Sequence, residues 1–255
     1  MVGLVLENVG VKHRGGPEVV HNVTLQCPRG QVTGLLGPNG AGKSSLLKAI
    51  AGLLESSGVI SVDGRLLREL SPRDRARTVG YVPQRTRLDA LLSVRDVVDQ
   101  GRFAHRGPLA GPSRKDREVA ERALKEVNAL HLADRPFPEL SGGEQQKVMI
   151  ARALATGATT LLLDEPTAAL DARHVLVLHQ VLRRLAEQNY CVLVVLHGLD
   201  EAHRHADRAV LLAEGKVHAT GPAKEIIAAD PVREVYGVEL RAQAGLSLFL
   251  PEDTP

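Results

Sequence analysis

The chain has 255 residues, of which 44% are hydrophobic and 24% charged, with a formal net charge of +2. That length holds one large domain or two small ones and can bury a sizeable core. The near-neutral balance excludes the global basic field of a nucleic-acid binder, and no apolar run approaches the roughly 18 residues of a membrane-spanning helix, so a membrane role must run through a partner.

In chain order, Met1-Val2-Gly3-Leu4 lacks the basic and long apolar regions of a signal peptide. Residues 2–9 and 18–27 are predicted strands; in the second, Val23, Leu25 and Cys27 alternate with Thr24 and Gln26. Residues 32–36 form a short apolar strand feeding a glycine loop, and 43–53 a helix leaving it. Gly58 to Asp63 alternates like a strand and closes on an Asp63-Gly64 turn. The Arg-rich stretch from Arg65 to Arg87 is expected to be a solvated face or docking surface. A strand over 78–82 ends at Pro83-Gln84. Helices follow at 93–101 and 114–131, the second placing Val119, Ala123, Leu124, Val127 and Leu130 on one face. Gly107-Pro108 and Gly111-Pro112 separate the two. Then come a helix (142–155), an apolar strand (159–163), a helix (172–187), an apolar strand (190–196) and a short strand (208–213). The tail, 217–255, carries a helix near 222–229. Cys27 and Cys191 both sit in strand-like runs and are expected to be buried thiols in a reducing compartment. Strands alternating with helices predict an α/β fold with a mostly parallel sheet.

Three segments carry chemistry. Gly37-Pro38-Asn39-Gly40-Ala41-Gly42-Lys43-Ser44 follows a strand and opens a helix, the context of a phosphate-binding loop. Backbone N–H groups can surround a densely anionic triphosphate where side chains stay clear, and the helix start adds its positive end. Lys43 supplies a point charge, Ser44 a hydroxyl for Mg²⁺, and Ser45 a bond to a phosphate oxygen. Leu161-Leu162-Leu163-Asp164-Glu165-Pro166 brings carboxylates to the C-terminal end of a buried strand. There Asp164 can hold Mg²⁺ through water and Glu165 can act as general base. Leu140-Ser141-Gly142-Gly143-Glu144 contains a capping box, Ser141-x-x-Glu144. A cap does not need two glycines at the first helical positions, where they cost stability; bare N–H groups approaching a phosphate would explain them.

With that third segment the chain resembles the ATP-binding cassette (ABC) family over nearly its whole length. The resemblance implies a P-loop NTPase core with a mostly parallel sheet, an N-terminal antiparallel β subdomain and an α-helical subdomain. It divides one ABC domain into 1–84, the helical part 85–140, a core remainder 141–216 and a tail 217–255. It implies that Ser141, Gly142, Gly143 and Glu144 face the ATP held by a second copy, so that two ATP molecules are sandwiched in a head-to-tail homodimer. Gln84 resembles the loop glutamine that contacts Mg²⁺ and water, beside Ser44 and Asp164. Asp171, in Ala169-Leu170-Asp171, resembles the aspartate of the loop crossing the dimer interface, and His197 the switch histidine on the γ-phosphate. His203 and His205 follow it but point to different faces of a helix, against metal binding there. ATP and Mg²⁺ are the implied cofactors, and no nucleic acid is an implied partner.

Two positions depart from the family pattern. His197 is followed by Gly198, where Asp is usual, which predicts a looser turn. The stretch Lys12-His13-Arg14 lacks the aromatic that usually stacks adenine, leaving His13 or Arg14 for that role; no Phe or Tyr precedes Tyr81. Weak adenine discrimination is expected. Ser93-Val94-Arg95-Asp96-Val97-Val98, Gly101-Arg102-Phe103 and Val232-Arg233-Glu234-Val235-Tyr236-Gly237-Val238 resemble importers for iron-siderophores, haem and vitamin B12. The implied protein is a peripheral ATPase on the cytoplasmic face of the cell membrane. It would join two copies of a permease and, indirectly, a solute-binding protein, for uptake of haem or a ferric siderophore. Vitamin B12, another solute, or a non-transport ABC ATPase are the alternatives.

Overall fold

Apart from a two-stranded C-terminal hairpin, the strands divide into two sheets, one antiparallel and one mostly parallel, as the computed structural model of the protein describes for residues 3–13, 15–84, 91–107, 110–168, 170–227, 230–237, 239–243 and 245–249, the last two by backbone alone. The antiparallel sheet is built from β1 (Leu4–Lys12), β2 (Glu18–Cys27), and, after β3 (Gln31–Leu36) and α1 (Lys43–Ile50), from β4 (Ser56–Val62) and β5 (Arg65–Leu66). Its order is β2-β1-β4-β5. In β2, Val20, Val23, Leu25 and Cys27 are buried between exposed neighbours, the period-2 pattern of a half-buried strand. Asp63 and Gly64 both take positive φ, 50° and 78°, which closes the β4–β5 hairpin as a type I′ turn.

Then α2 (Pro72–Thr78) leads to β6 (Val79–Val82). The helical part holds α3 (Val94–Asp99) and α4 (Arg114–Glu126). The chain returns through α5 (Gly142–Ala155), β7 (Thr160–Leu163), α6 (Ala172–Glu187), β8 (Cys191–Val195), α7 (Leu199–His205), β9 (Arg208–Ala213) and β10 (Lys216–Pro222). It ends in α8 (Ala223–Ile227), α9 (Asp230–Tyr236) and a hairpin of β11 (Glu239–Gln243) and β12 (Gly245–Phe249). The larger sheet has the order β10-β9-β3-β8-β7-β6, parallel from β9 to β6, with β10 antiparallel at the edge. Its inner strands are buried on both faces. Leu162, Leu193 and Val195 point into the core shared with the antiparallel sheet and α1, whereas Leu161, Leu163, Val192 and Val194 point into the core shared with the helical part.

Several expectations are refined. The stretch from Arg65 is not merely a charged face: it contains β5 and α2, which Ser71 caps by accepting from the Asp74 amide with Pro72 at the first helical position. Arg85 and Arg87, with the rest of 85–90, lie outside the described residues. The helix expected over 114–131 ends at Glu126, because Asn128 takes φ 54° and breaks the ladder before a 3₁₀ turn at Leu130–Leu132. The helix expected over 93–101 passes into a 3₁₀ turn after Asp99, and that expected over 43–53 stops at Ile50. Around 222–229 stand α8 and, two residues later, α9; 228 and 229 lie outside the described residues, as do Met1, Val2, Val238 and 250–255. Cys27 and Cys191 are buried, and burial pushes both thiols up, Cys191 to about 11. Among the described residues no helix is long and apolar enough to cross a membrane.

The helical part is pinned by buried charges. Arg102 donates to Asp116 at 3.0 Å and to the Ala155 carbonyl at 2.8 Å, tying it to α5. Arg106 bonds Asp116 at 3.4 Å and also Asp99. Bonds from Ser113, then the Arg102 guanidinium, hold the Asp116 carboxyl well below the usual carboxylate range. Its stabilising effect is therefore fully present above the unfolded carboxylate value near ~4 and is lost as pH falls through the lower folded value. Asp116→Ala leaves two arginines without their buried partner and should cost about 3–5 kcal/mol in urea unfolding near neutral pH.

Candidate active site

Strand β3 turns into α1 through six residues whose glycines are required by geometry. Gly37 and Gly42 have φ of 149° and 97°; a Cβ on Gly37 would lie 1.9 Å from the Leu212 carbonyl oxygen, and one on Gly42 2.7 Å from that of Val19. Gly40, at φ 81° with open space around it, serves the turn alone. Inside this loop the Lys43 ammonium donates to the carbonyls of Gly37 (2.7 Å) and Pro38 (2.9 Å) and is 5% exposed. Burial lowers its pKa, while Glu165 and Asp164 pull the other way. A cavity of about 310 Å³ opens above, lined by residues 39–45 with His13, Val19 and Glu165. A concave row of N–H groups at a helix start, with a buried cation, is an anion-binding device.

Strand β7 exits into two carboxylates, of which Glu165 lines the cavity and Asp164 lies behind it on Ser44. Asp164 is 3% exposed and accepts from Ser44 Oγ at 2.9 Å and from Tyr81 Oη at 3.2 Å. Burial raises its pKa against the lowering effect of those two hydroxyls; burial and the Asp164 charge in turn push the Tyr81 phenol up. Glu165 adopts the left-handed backbone at φ 48°, a conformation costing on the order of 1–3 kcal/mol in a non-glycine residue and concentrated at functional sites. Its Oε2 accepts from Gln84 Nε2 and lies 2.6 Å from His197 Nε2. The structure thus joins these groups by contacts beside the cavity: Glu165 lines it with residues 39–45, Asp164 meets Ser44, and Gln84 and His197 meet Glu165. Gly198 has φ −89° and ψ 125°, which any residue adopts, so the turn after His197 is not opened; what the glycine removes is a side-chain cap for α7.

Ser141, Gly142, Gly143 and Glu144 are not part of that cavity: among the described residues lining it none comes from 141–144. Ser141 instead caps α5. Its Oγ accepts from the Glu144 amide at 3.4 Å, while the Glu144 carboxylate accepts from the Ser141 amide at 2.9 Å and hydroxyl at 2.8 Å. Ser141 and Gly142 are exposed; Gly143 is buried. Asp171 caps α6 by accepting from the His174 amide at 2.9 Å and meets the His174 ring at 2.8 Å. Those bonds hold its carboxyl below the usual range. Ala169 lies outside the described residues.

Three contacts were not foreseen. Tyr81 reaches Asp164 from the adjacent strand, a position three residues before Gln84 that could have flagged it. His13 bonds Ser45 Oγ at 3.0 Å, and both line the cavity; Arg14 lies outside the described residues. His205 stacks on His179, with centroids 4.0 Å apart.

A family model described as ABC transporter matches residues 20–168. The chain is 42% identical over 236 residues to the hemin import ATP-binding protein HmuV of Pseudomonas entomophila, covering 90% of this chain and 91% of that one. It is 35% identical to the iron(3+)-hydroxamate import ATP-binding protein FhuC of Bacillus subtilis, covering 94% and 89%. Among solved structures, an inward-facing metal-chelate type ABC transporter superposes with a TM-score of 0.83 at 30% identity over 98% of this chain and 96% of that chain. A dimeric ATP-binding cassette in a post-hydrolysis state bound to ADP and Pi superposes with a TM-score of 0.74 at 30% identity, covering 86% and 98%. Because no Phe, Tyr or Trp lines the cavity among the described residues, ATP and GTP should be hydrolysed with kcat/KM within about tenfold, less than ~1.4 kcal/mol of discrimination. Steady-state hydrolysis of the two nucleotides measures this, and a much larger ATP preference would refute it.

Proposed function

The chain belongs to the ABC transporter family of ATPases, and from that premise we propose that it energises import of a metal chelate, haem or a ferric siderophore, through a separate permease. Support comes from the hemin and ferric-hydroxamate import relatives and from the metal-chelate transporter fold. In this reading two copies pair head to tail and sit on two permease copies at the cytoplasmic face of the membrane, with a solute-binding protein delivering cargo. The observation that carries the paired arrangement is the separation of the two phosphate-reading elements. The loop 37–45 shares its cavity with Glu165, while the α5 start at Ser141 and Gly142 faces outward, available to a nucleotide held by another copy.

Each residue then has a role. Lys43 and the amides of 39–44 hold the outer phosphates of ATP, and Ser45 a further phosphate oxygen. Ser44 and Asp164, hydrogen-bonded to each other at 2.9 Å, are hard oxygen donors that would hold Mg²⁺, Asp164 through water. Gln84 Oε1 would complete that set, and the ion would supply charge neutralisation at the phosphates. Glu165 acts as general base. His197 and Gln84 both occupy its Oε2, which leaves Oε1 to take the proton of the attacking water. The γ-phosphate of bound ATP would offer His197 Nε2 a partner in place of Glu165.

A groove of about 570 Å³ beside the site supplies a seat for the permease. Tyr81, Phe103 and Arg152 line it together with Leu53. Leu53 and Phe103 are each 62% exposed, and Arg106 covers the Phe103 ring at 5.6 Å. Leu53 and Phe103 on the groove suit an apolar-tipped helix, and the β6 strand behind them ends at Val82, two residues before Gln84.

Glu165→Gln should retain ATP binding, lower hydrolysis by at least about 10²-fold, and accumulate an ATP-bound dimer in size exclusion; a monomer with normal turnover would rule Glu165 out as base. The importer reading predicts that the complex purified with its permease hydrolyses ATP faster when a binding protein loaded with haem or ferric siderophore is added. Absence of any stimulation by either cargo would count against it.

A further inference from the structure

The two glycines that open α5 have different physical reasons. Gly142 is exposed, whereas Gly143 is buried against the imidazole of His174 on α6. A Cβ built on Gly143 would lie 2.3 Å from Cδ2, 2.6 Å from Cγ and 2.9 Å from Nε2 of that ring, closer than real Cβ atoms come. Backbone conformation does not demand glycine there, since Gly143 is helical and is not among the positive-φ residues. In a helix glycine costs about 1 kcal/mol relative to alanine, so the space taken by the ring is its explanation. The ring, 30% exposed, is tethered where it lies. Its Nδ1 meets Asp171 Oδ1 at 2.8 Å, and the same oxygen accepts the His174 amide at 2.9 Å. The carboxylate that caps α6 thereby clamps the imidazole on which α5 rests.

We propose that His174 is a positioning residue for the 141–144 segment. Its ring, held by Asp171, is the seat of the α5 N-terminus, and it sets the Ser141 hydroxyl and the first α5 amides in register with the Asp171 turn. This rests on the reading that Ser141 to Glu144 act on the nucleotide of a second copy. Two segments expected to meet the partner are thus joined within each copy by a contact that no glycine-for-phosphate argument anticipates.

A double-mutant cycle on the full chain tests it, with ATP affinity and steady-state kcat measured for Gly143→Ala, His174→Ala and the pair. Gly143→Ala should lower kcat by at least about tenfold by driving a methyl into the ring, with ATP affinity unchanged because the P-loop is untouched. His174→Ala should lower kcat by a few-fold, about 3–10, again without changing ATP affinity. The pair should be no slower than His174→Ala alone within about twofold, since the alanine methyl then occupies vacated space. A pair as inactive as the product of the two single losses would overturn the proposal. So would a His174→Ala variant whose ATP affinity falls in parallel with kcat, because the ring would then support the fold at large. Ser141→Arg is the separate control: intact ATP-driven dimerisation and hydrolysis in that variant would remove the cross-dimer reading itself, whereas its loss beside an unrescued pair would indict His174 alone.

Discussion

Four neighbouring parallel strands end on one edge of the sheet, and the rest of the site depends on that. Strands β3, β8, β7 and β6 lie side by side in register, Leu35 beside Val195, Leu163 beside Val194 and Val82. Adjacent strands are about 4.8 Å apart, so groups leaving neighbouring strands at the same end fall within hydrogen-bond reach. β3 exits into Gly37, β8 into His197, β7 into Asp164 and Glu165, and β6 into Gln84. The bonds follow the strand order: Glu165 meets His197 on one side and Gln84 on the other. The anion-binding loop is thereby placed next to the carboxylates before any ligand is considered.

Keeping this edge in place requires compensation elsewhere. Lys43 and Asp164 are nearly inaccessible to water, and each burial shifts its titration toward the neutral form. Opposite charge and hydroxyl donors offset that, with Ser44 and Tyr81 on Asp164 and the two loop carbonyls on Lys43. Glu165 holds an unfavourable backbone conformation at the exit of a strand buried on both faces, so the packed sheet supplies the constraint the turn cannot supply for itself. The helical part is attached through α5, which Arg102 ties to it by the Ala155 carbonyl. The start of that same helix carries Ser141 and Gly142 outward and away from the cavity of its own chain. Division of the proposed chemistry between copies follows from this placement.

Much of the architecture could be read locally. The bounds of α5 and α6 coincide with the expected 142–155 and 172–187 because both helices begin at side-chain caps, Ser141 with Glu144 and Asp171 with the His174 amide. Helix α2 carried an equally good local signal in Ser71-Pro72 and Asp74, which the density of arginines obscured. The end of α4 was misplaced because the apolar face continues through Val127 and Leu130 although the backbone reverses at Asn128. Side-chain periodicity reports burial, and burial persists through a turn.

By itself the sequence determined the chemical inventory and its order: glycines with a lysine and two serines after one strand, two carboxylates after another, a capped helix opened by two glycines, a histidine after a third strand. These depend on residue type and short spacing, which local backbone preferences translate directly into loops, caps and strand ends. Tertiary structure decided which of these groups touch. Tyr81 on Asp164, His197 and Gln84 on one oxygen of Glu165, His13 on Ser45, and the His174 ring on Gly143 all join separate elements through sheet order and helix packing. Gly143 shows the difference most clearly. Its identity was visible in the chain, but the reason for it is a ring 31 positions away, brought there where the start of α6 meets the start of α5.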